Sequence, residues 1–329
     1  MSAAIVHTLT AFDFPFFIDD FFCASATPPT YPGSPRQWMP ARRAAKAGSW
    51  YSDNREELSG ELTRWLADAQ VSCGTARAII APHAGYSYSG PAAAWAYKHI
   101  DQSTISRIFL LGPSHHVYST RCSLTACTSY DTPLGTIPID TEACNTLRAT
   151  GMFDDMPRNT DEGEHSLEMH LPYIFQVMQG RRFLLVPVLV GALSEGAEAT
   201  YGKLFADSLG NPENLFIIST DFCHWGKRFR FTPWDKTKGE IFQSIEALDR
   251  QGMALIEAQD AEGFAAYQRQ HGNTICGQHP IAVLLHALQS CPVQHQARFV
   301  RYEQSSHCRS CDDSSVSYAS AVISLRECR

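Results

Sequence analysis

The sequence has no excess of basic residues: 27 Lys and Arg stand against 34 Asp and Glu, a formal charge of −7 with a pI near 6.0. That balance leaves no face-wide excess of Lys and Arg to neutralise a phosphate backbone, so nucleic acid is not an expected partner. It also lacks any uninterrupted apolar run approaching the roughly 20 residues of a membrane-crossing helix. The nearest stretch, Phe12 to Phe22, carries Asp13, Asp19, Asp20 and Pro15, and no basic segment precedes it as in a secretory leader. Membrane insertion is therefore not expected. A disulfide framework is missing too, since the 11 Cys are odd in number and scattered through 329 residues. Reduced thiols and a cytoplasmic location follow, with the nucleus also open to the protein. No internal repeat or low-complexity tract interrupts the core. What is present is ordinary globular composition, 44% apolar and 19% charged, which excludes a mostly disordered, collagenous or coiled-coil chain.

Residues 1–40 differ from the rest. Six Phe fall between Phe12 and Phe22, followed by Pro28, Pro29, Pro32, Gly33, Pro35 and Pro40. Such punctuation forbids regular structure, and the segment reads as a disordered extension ahead of a single domain at 41–329. An aromatic-acidic partner motif is its functional alternative. Met39, just before Ala41-Arg42-Arg43, is an alternative translation start.

From Lys46 onward strands and helices alternate. Ala76–Tyr86, Arg107–His116, Phe183–Ala192 and Asn214–Gly226 each hold a short, near-continuous apolar run closed by Gly, Pro or a polar cluster. Continuous rather than alternating apolarity marks a strand buried on both faces. Helices are expected at Glu56–Ala69, Pro91–His99, Thr141–Thr150, His165–Met178, Glu198–Leu209, Gly239–Gln259 and Pro280–Leu288. The fold class is α/β: one domain with a largely parallel buried sheet flanked by helices. Arg298–Glu303 and Val316–Leu325 alternate more and read as antiparallel edge strands.

Three of the four runs end on chemistry: Pro82-His83, Ser114-His115-His116, and Asp221-Phe222-Cys223-His224. Strands of a parallel sheet share one C-terminal edge, where ligands of open α/β sheets bind. Four imidazoles and a carboxylate are thus expected to converge there. A lone histidine is more often a surface or satisfied core residue; four at strand ends are not independent accidents. Cys276, in Asn273-Thr-Ile-Cys-Gly-Gln-His279-Pro280, precedes a helix N-terminus that favours its thiolate. Metal ligand, nucleophile and buried apolar residue all remain open for it. The pair Cys308-x-x-Cys311 has a spacing suited to zinc or redox work but no second pair beside it.

Glu164-His165-Ser-Leu-Glu168-Met-His170 is not His-Glu-x-x-His, and a five-residue spacing leaves His165 and His170 on different faces of a helix. A zincin is not expected. Instead, one of His165 and Glu168 lines the pocket and the other braces it. Lys227, Arg228 and Arg230 follow His224 and read either as a solvated loop or as an anion receiver at the pocket mouth.

Together these blocks resemble the Memo family (mediator of receptor-driven cell motility). The resemblance rests on Ala47-Gly-Ser-Trp50-Tyr51, Ala81-Pro-His83-Ala-Gly-Tyr86, Leu111-Gly-Pro-Ser-His115-His116, Asp161-Glu-x-Glu-His165-Ser-Leu-Glu168, Ser219-Thr-Asp221-Phe-Cys-His224-Trp225-Gly and Asn273-Thr-Ile-Cys276-Gly-x-His279-Pro280. It runs from about Lys46 to Leu325. Cys311 is not part of the family pattern. The resemblance implies a fold like that of the class III (LigB-type) extradiol dioxygenases, whose iron is held by two His and a carboxylate. His83 and His115 match those two His, Cys276 replaces the carboxylate, and His224 matches the acid/base histidine. Trp50, His83, His224 and Cys276 also match positions implicated in binding phosphotyrosine peptides of receptors. Copper or iron binding, redox activity and roles in cell migration and metal handling are implied as well.

A thiolate in place of a carboxylate softens the site, favouring copper, with zinc as the alternative, over a simple ferrous triad. It would also be at risk beside activated oxygen, so ring-cleaving activity is not expected to come with the fold. The first expectation is a redox protein with metal on His83, His115 and Cys276, and His224, held by Asp221, as base or fourth ligand. The second is a module binding a phosphotyrosine-type peptide, with Arg228 or Arg230 on the phosphate and Trp50 against the ring. The third is hydrolysis, by zinc-bound water or by Cys276 helped by His279 or His224.

Overall fold

Along the chain the described residues form α1 (Arg55–Asp68), β1 (Ala76–Ala81), α2 (Tyr86–Tyr97), β2 (Arg107–Pro113), β3 (Cys122–Thr125), β4 (Ser129–Thr132), β5 (Gly135–Pro138), α3 (Thr141–Ala149), β6 (Phe153–Met156), α4 (Arg158–Gly163), α5 (Leu171–Val177), β7 (Leu184–Val190), α6 (Glu195–Gly210), β8 (Asn214–Ser219), β9 (His224–Trp225), α7 (Ile241–Glu257), α8 (Ala261–His271), α9 (Gln278–Ser290), β10 (His295–Gln304) and β11 (Ser315–Leu325). This computed structural model describes residues 40–326, which lie within one compact unit. The expected extension at 1–40 falls outside the described residues except for Pro40. No helix among the described residues is long and apolar enough to cross a membrane.

The four apolar runs become β1, β8, β2 and β7, adjacent and mutually parallel in the order β10-β11-β1-β8-β2-β7-β3-β6. All six residues of β8 are buried, as a strand covered on both faces requires. The sheet is mixed at its flanks: β3 runs antiparallel to β7, and β11 antiparallel to β1 and β10. Here the structure departs from expectation, because β11 is an inner, buried strand and only β10 is an edge.

Local chemistry sets the helices. Asn54 caps α1 by accepting from the Glu56 and Glu57 amides, and Leu58, Leu62 and Trp65 form its buried stripe. Helix α2 starts at Tyr86, well before the expected Pro91, which lies inside it. Helices α1, α2 and α5 pack together, and α2 lies on β1, β10 and β11; α6 and α9 pack on each other and on β2 and β8.

Candidate functional site

Because β1, β2 and β8 are parallel, His83, His115 and the Asp221–His224 segment emerge at one sheet edge. The turn into α9 brings Cys276 beside them. That approach needs Gly277, where a Cβ would overlap Thr220 and the Ser219 carbonyl. Gly112 plays the same part at the end of β2, a Cβ there falling 2.8 Å from Ser166 Oγ.

Cys276 Sγ stands 3.2 Å from His83 Nε2 and accepts from the Asp221 amide at 3.1 Å. One ligand atom each from His83, His115 and Cys276 lies within 4.8 Å of the others. The outer nitrogens are committed elsewhere. Ser219 Oγ donates to the Ser166 carbonyl at 2.7 Å, so it accepts from His83 Nδ1 at 2.6 Å, and the proton on Nδ1 leaves a lone pair on Nε2. His115 Nδ1 donates to Glu164 Oε1 at 2.9 Å, which turns its Nε2 toward the sulfur. Bond lengths of about 2.0–2.1 Å to nitrogen and 2.3 Å to sulfur put N and S about 3.5 Å apart around a tetrahedral ion. The donor set and its spacing fit a metal ion.

The electrostatics agree. Burial pushes the His115 ring down, but hydrogen bonds to Cys276 and Glu164 outweigh it and carry the ring up to about 10. The donors thus favour a positive charge among them, which a proton or a metal cation satisfies. Burial raises Glu164 as well, yet hydrogen bonds and charge from His115 hold it well below the usual carboxylate range. It also accepts from the amides of His115, His165 and Ser166. His83 is held down by burial, and Cys276 is pushed up by it.

His224 lies beside this cluster but is not held by Asp221, which corrects the expected pairing. Its Nδ1 donates to the carbonyls of Phe222 (2.9 Å) and Thr274 (3.1 Å), and its amide donates to Thr274 Oγ1. Its Nε2 is left with a lone pair, and burial lowers the ring to about 4. Asp221 Oδ1 instead accepts from the His83 amide at 2.9 Å, and burial raises the carboxyl to about 7.

His165 lines the site, stacked 4.4 Å from His115 and tilted by 40° against half-buried Trp50 at 4.5 Å. His116 is exposed, its ring 5.9 Å from His165. Glu168 lies behind: it accepts from the Lys46 amide and Tyr51 Oη and pairs with fully buried Arg42, fixing the segment that carries Trp50. Arg228 is exposed with its guanidinium over Phe229, whose ring is 5.2 Å from His224. Arg230 is exposed with φ 54°. His279 turns away to Glu198 on α6 at 2.6 Å, which removes it as a helper of Cys276. Cys308 packs with Cys223 and Trp225 in a small apolar cluster, while Cys311 is exposed.

Two supports escaped the sequence reading. Glu164, one residue from His165, carried no signal separating it from Glu168. Asp249 on α7 is fully buried and accepts from the Cys223 amide, Asn273 Nδ2 and Tyr302 Oη, bracing the loops of His224 and Cys276 at once. Burial raises it to about 6.

A family model described as Memo-like protein matches residues 42–322. Protein MEMO1 of Xenopus tropicalis is 52% identical over 287 residues, 86% of this chain and 97% of that protein. Human Protein MEMO1 is 50% identical over 289 residues, with the same two coverages. The Protein memo-1 homolog of Caenorhabditis elegans is 47% identical, covering 86% of this chain and 82% of its own. Among solved structures, an uncharacterized Escherichia coli K12 protein, JW3007, superposes with a TM-score of 0.43 at 11% identity, over 74% of this chain and 98% of that one. On the family match and these relatives, this chain belongs to the Memo-like protein family.

Proposed function

We propose that this protein binds one copper or iron ion through His83 Nε2, His115 Nε2 and Cys276 Sγ and works as a redox protein of the cytoplasm, in receptor-linked motility signalling or metal homeostasis. One observation carries the reading: two imidazole nitrogens and a sulfur converge within 4.8 Å while each ring's other nitrogen is engaged by a separate partner. When bound, the ion supplies reversible one-electron transfer. The chain's own residues do the rest. Ser219 and Glu164 hold the two rings in the ligating tautomer. His224, anchored through Nδ1, keeps Nε2 ready to accept a proton. Soft sulfur among the donors favours copper over iron, and zinc is the alternative that would point to hydrolysis. The nine described cysteines are free thiols, which fits a reducing compartment.

Elemental analysis of protein purified anaerobically without chelator, beside Cys276→Ser, tests this. About one equivalent of copper or iron, lost in the variant, is the expected result. Equal metal in both, or none after reconstitution, overturns it.

A second reading, a pocket for phosphotyrosine-type receptor peptides, is favoured by Trp50 beside His165 and by exposed Arg228 next to His224. Calorimetry with one peptide in phosphorylated and unphosphorylated form decides it, since equal or absent binding rejects the reading.

A further inference from the structure

Behind Trp50 aromatic rings run from the site into the core, the first step, Trp50 to Tyr51, lying along the backbone between neighbouring residues. Trp50 touches His165, and the next residue, Tyr51, lies 5.4 Å from Tyr86. Tyr86 is 5.6 Å from Tyr173, and Tyr173 stacks on Tyr97 at 4.7 Å. Trp65 branches off 6.0 Å from Tyr86. All four tyrosines are buried. Packing alone does not ask for four hydroxyls: the group at α6 uses Phe109, Phe153, Phe205 and Phe216 at similar spacings with one tyrosine, Tyr201. Each buried hydroxyl needs a partner, so four in one column are costly unless they do something phenylalanine cannot.

Their partners fall into two kinds. Tyr86 donates to the Met169 carbonyl and Tyr173 to the Gly90 carbonyl, oxygens that cannot keep a proton. Tyr51 donates to the Glu168 carboxylate at 2.8 Å, and Tyr97 Oη lies 2.7 Å from His170 Nδ1. His170 is fully buried and its Nε2 has no partner. If Nδ1 carried the proton, both Tyr97 O–H and Nε2 would be orphaned; with Tyr97 as donor only Nε2–H is. His170 Nδ1 is therefore the acceptor of the phenol's hydrogen bond; burial lowers this ring to about 3, so it takes the proton only from an oxidised phenol, which is a far stronger acid than the resting one.

We propose that this column is a hole relay that carries one-electron oxidising equivalents away from the metal site and lodges them on Tyr97 as a neutral radical. The proposal rests on the redox reading of the site. Hydrogen peroxide is the oxidant and takes two electrons and two solvent protons to become two waters: one electron would come from the reduced ion at the site, and the other comes, by way of Trp50, Tyr51, Tyr86 and Tyr173, from Tyr97. Its proton crosses to His170 Nδ1, leaving Tyr97–O• beside an imidazolium. Tyr86 and Tyr173, bonded to carbonyls, conduct without holding the radical; Tyr51, on Glu168, is the nearer resting place. Such a relay draws oxidising power away from Cys276, the residue beside the metal most easily lost to oxidation.

The test uses the full chain and two oxidants. Flash-quench with a photogenerated ruthenium(III) tris-bipyridine complex needs no metal in the protein and is read by the absorption and EPR signal of the tyrosyl radical. Wild type is expected to give a long-lived signal that falls at least fivefold in Tyr97→Phe, stays in the control Tyr267→Phe, and forms more slowly in heavy water. Protein loaded with reduced copper, mixed with hydrogen peroxide and freeze-quenched, is expected to give the same signal, cut at least threefold by Trp50→Phe, a change that leaves the ruthenium yield intact. An undiminished signal in Tyr97→Phe, or no signal from peroxide when ruthenium gives one, overturns the relay. Metal content, measured separately, reports on the site itself, so failure of the relay and failure of the metal assignment are told apart.

Discussion

Glu164→Gln keeps the shape of the brace behind His115 and removes its charge. In the native protein one carboxylate oxygen accepts from His115 Nδ1, the His165 amide and the Ser166 amide, each at 2.9 Å, and the other accepts from the His115 amide at 2.7 Å. The glutamine oxygen can keep the first three, but its NH2 then faces the His115 N–H. One buried donor is left unsatisfied and the remaining bonds lose their ionic character, a cost of about 2–4 kcal/mol. Urea unfolding of metal-free protein measures that term. Competition against a chelator measures the second, a loss of about 10–100-fold in metal affinity from an altered outer partner, or about 1.4–2.8 kcal/mol. The pH dependence follows from the same bonds. Glu164 sits below its unfolded value, so its contribution is complete above about pH 4.3 and is lost as pH falls. The variant should therefore lose less stability than wild type on acidification. A variant with the wild-type urea midpoint and metal affinity within about twofold would refute the idea that Glu164 orients His115 for ligation.

Three further outcomes are expected. Asp249→Asn removes a buried acid whose value is raised to about 6; its stabilising contribution, present below about pH 4 and lost as pH rises through 6, disappears, so urea midpoints flatten across that window. Gly277→Ala forces the Cys276 turn off Thr220, costing about 1–3 kcal/mol in thermal unfolding and lowering metal content. His279→Ala breaks only the bond to Glu198, so metal content by elemental analysis stays at the wild-type value.

The four central strands were legible because their burial on both faces writes itself as unbroken apolar runs. Short strands such as β3 and β6, four residues each, carry too few positions for any period to show. β11 misled for a different reason. Its Ser-alternating sequence looks like one face in water, yet Ser315, Ser317, Ser320 and Ser324 are all buried. Ser320 Oγ donates to the Ala92 carbonyl, so small hydroxyl side chains there let helix α2 lie close to the strand. β10, whose exposure does alternate, is the true edge.

That misplacement explains the error at the site. Convergence of His83, His115 and His224 needs only parallel strands with a common C-terminal edge, and the sequence carries that; Cys276, on the turn into α9, joins them in the sequence only through the family resemblance. Which carboxylate serves which ring depends on the path of the loop after β8. Inner strand β11 sets that path: the Phe222 amide donates to the Ser317 carbonyl, and the Ser317 amide donates to the Cys223 carbonyl. Pinned on both sides, the loop turns Asp221 back to the His83 amide and sends His224 forward to Thr274. Three residues of sequence separation thus become opposite directions in space. With β11 read as an outer strand no anchor existed for this loop, and proximity in sequence was the only guide to pairing Asp221 with His224.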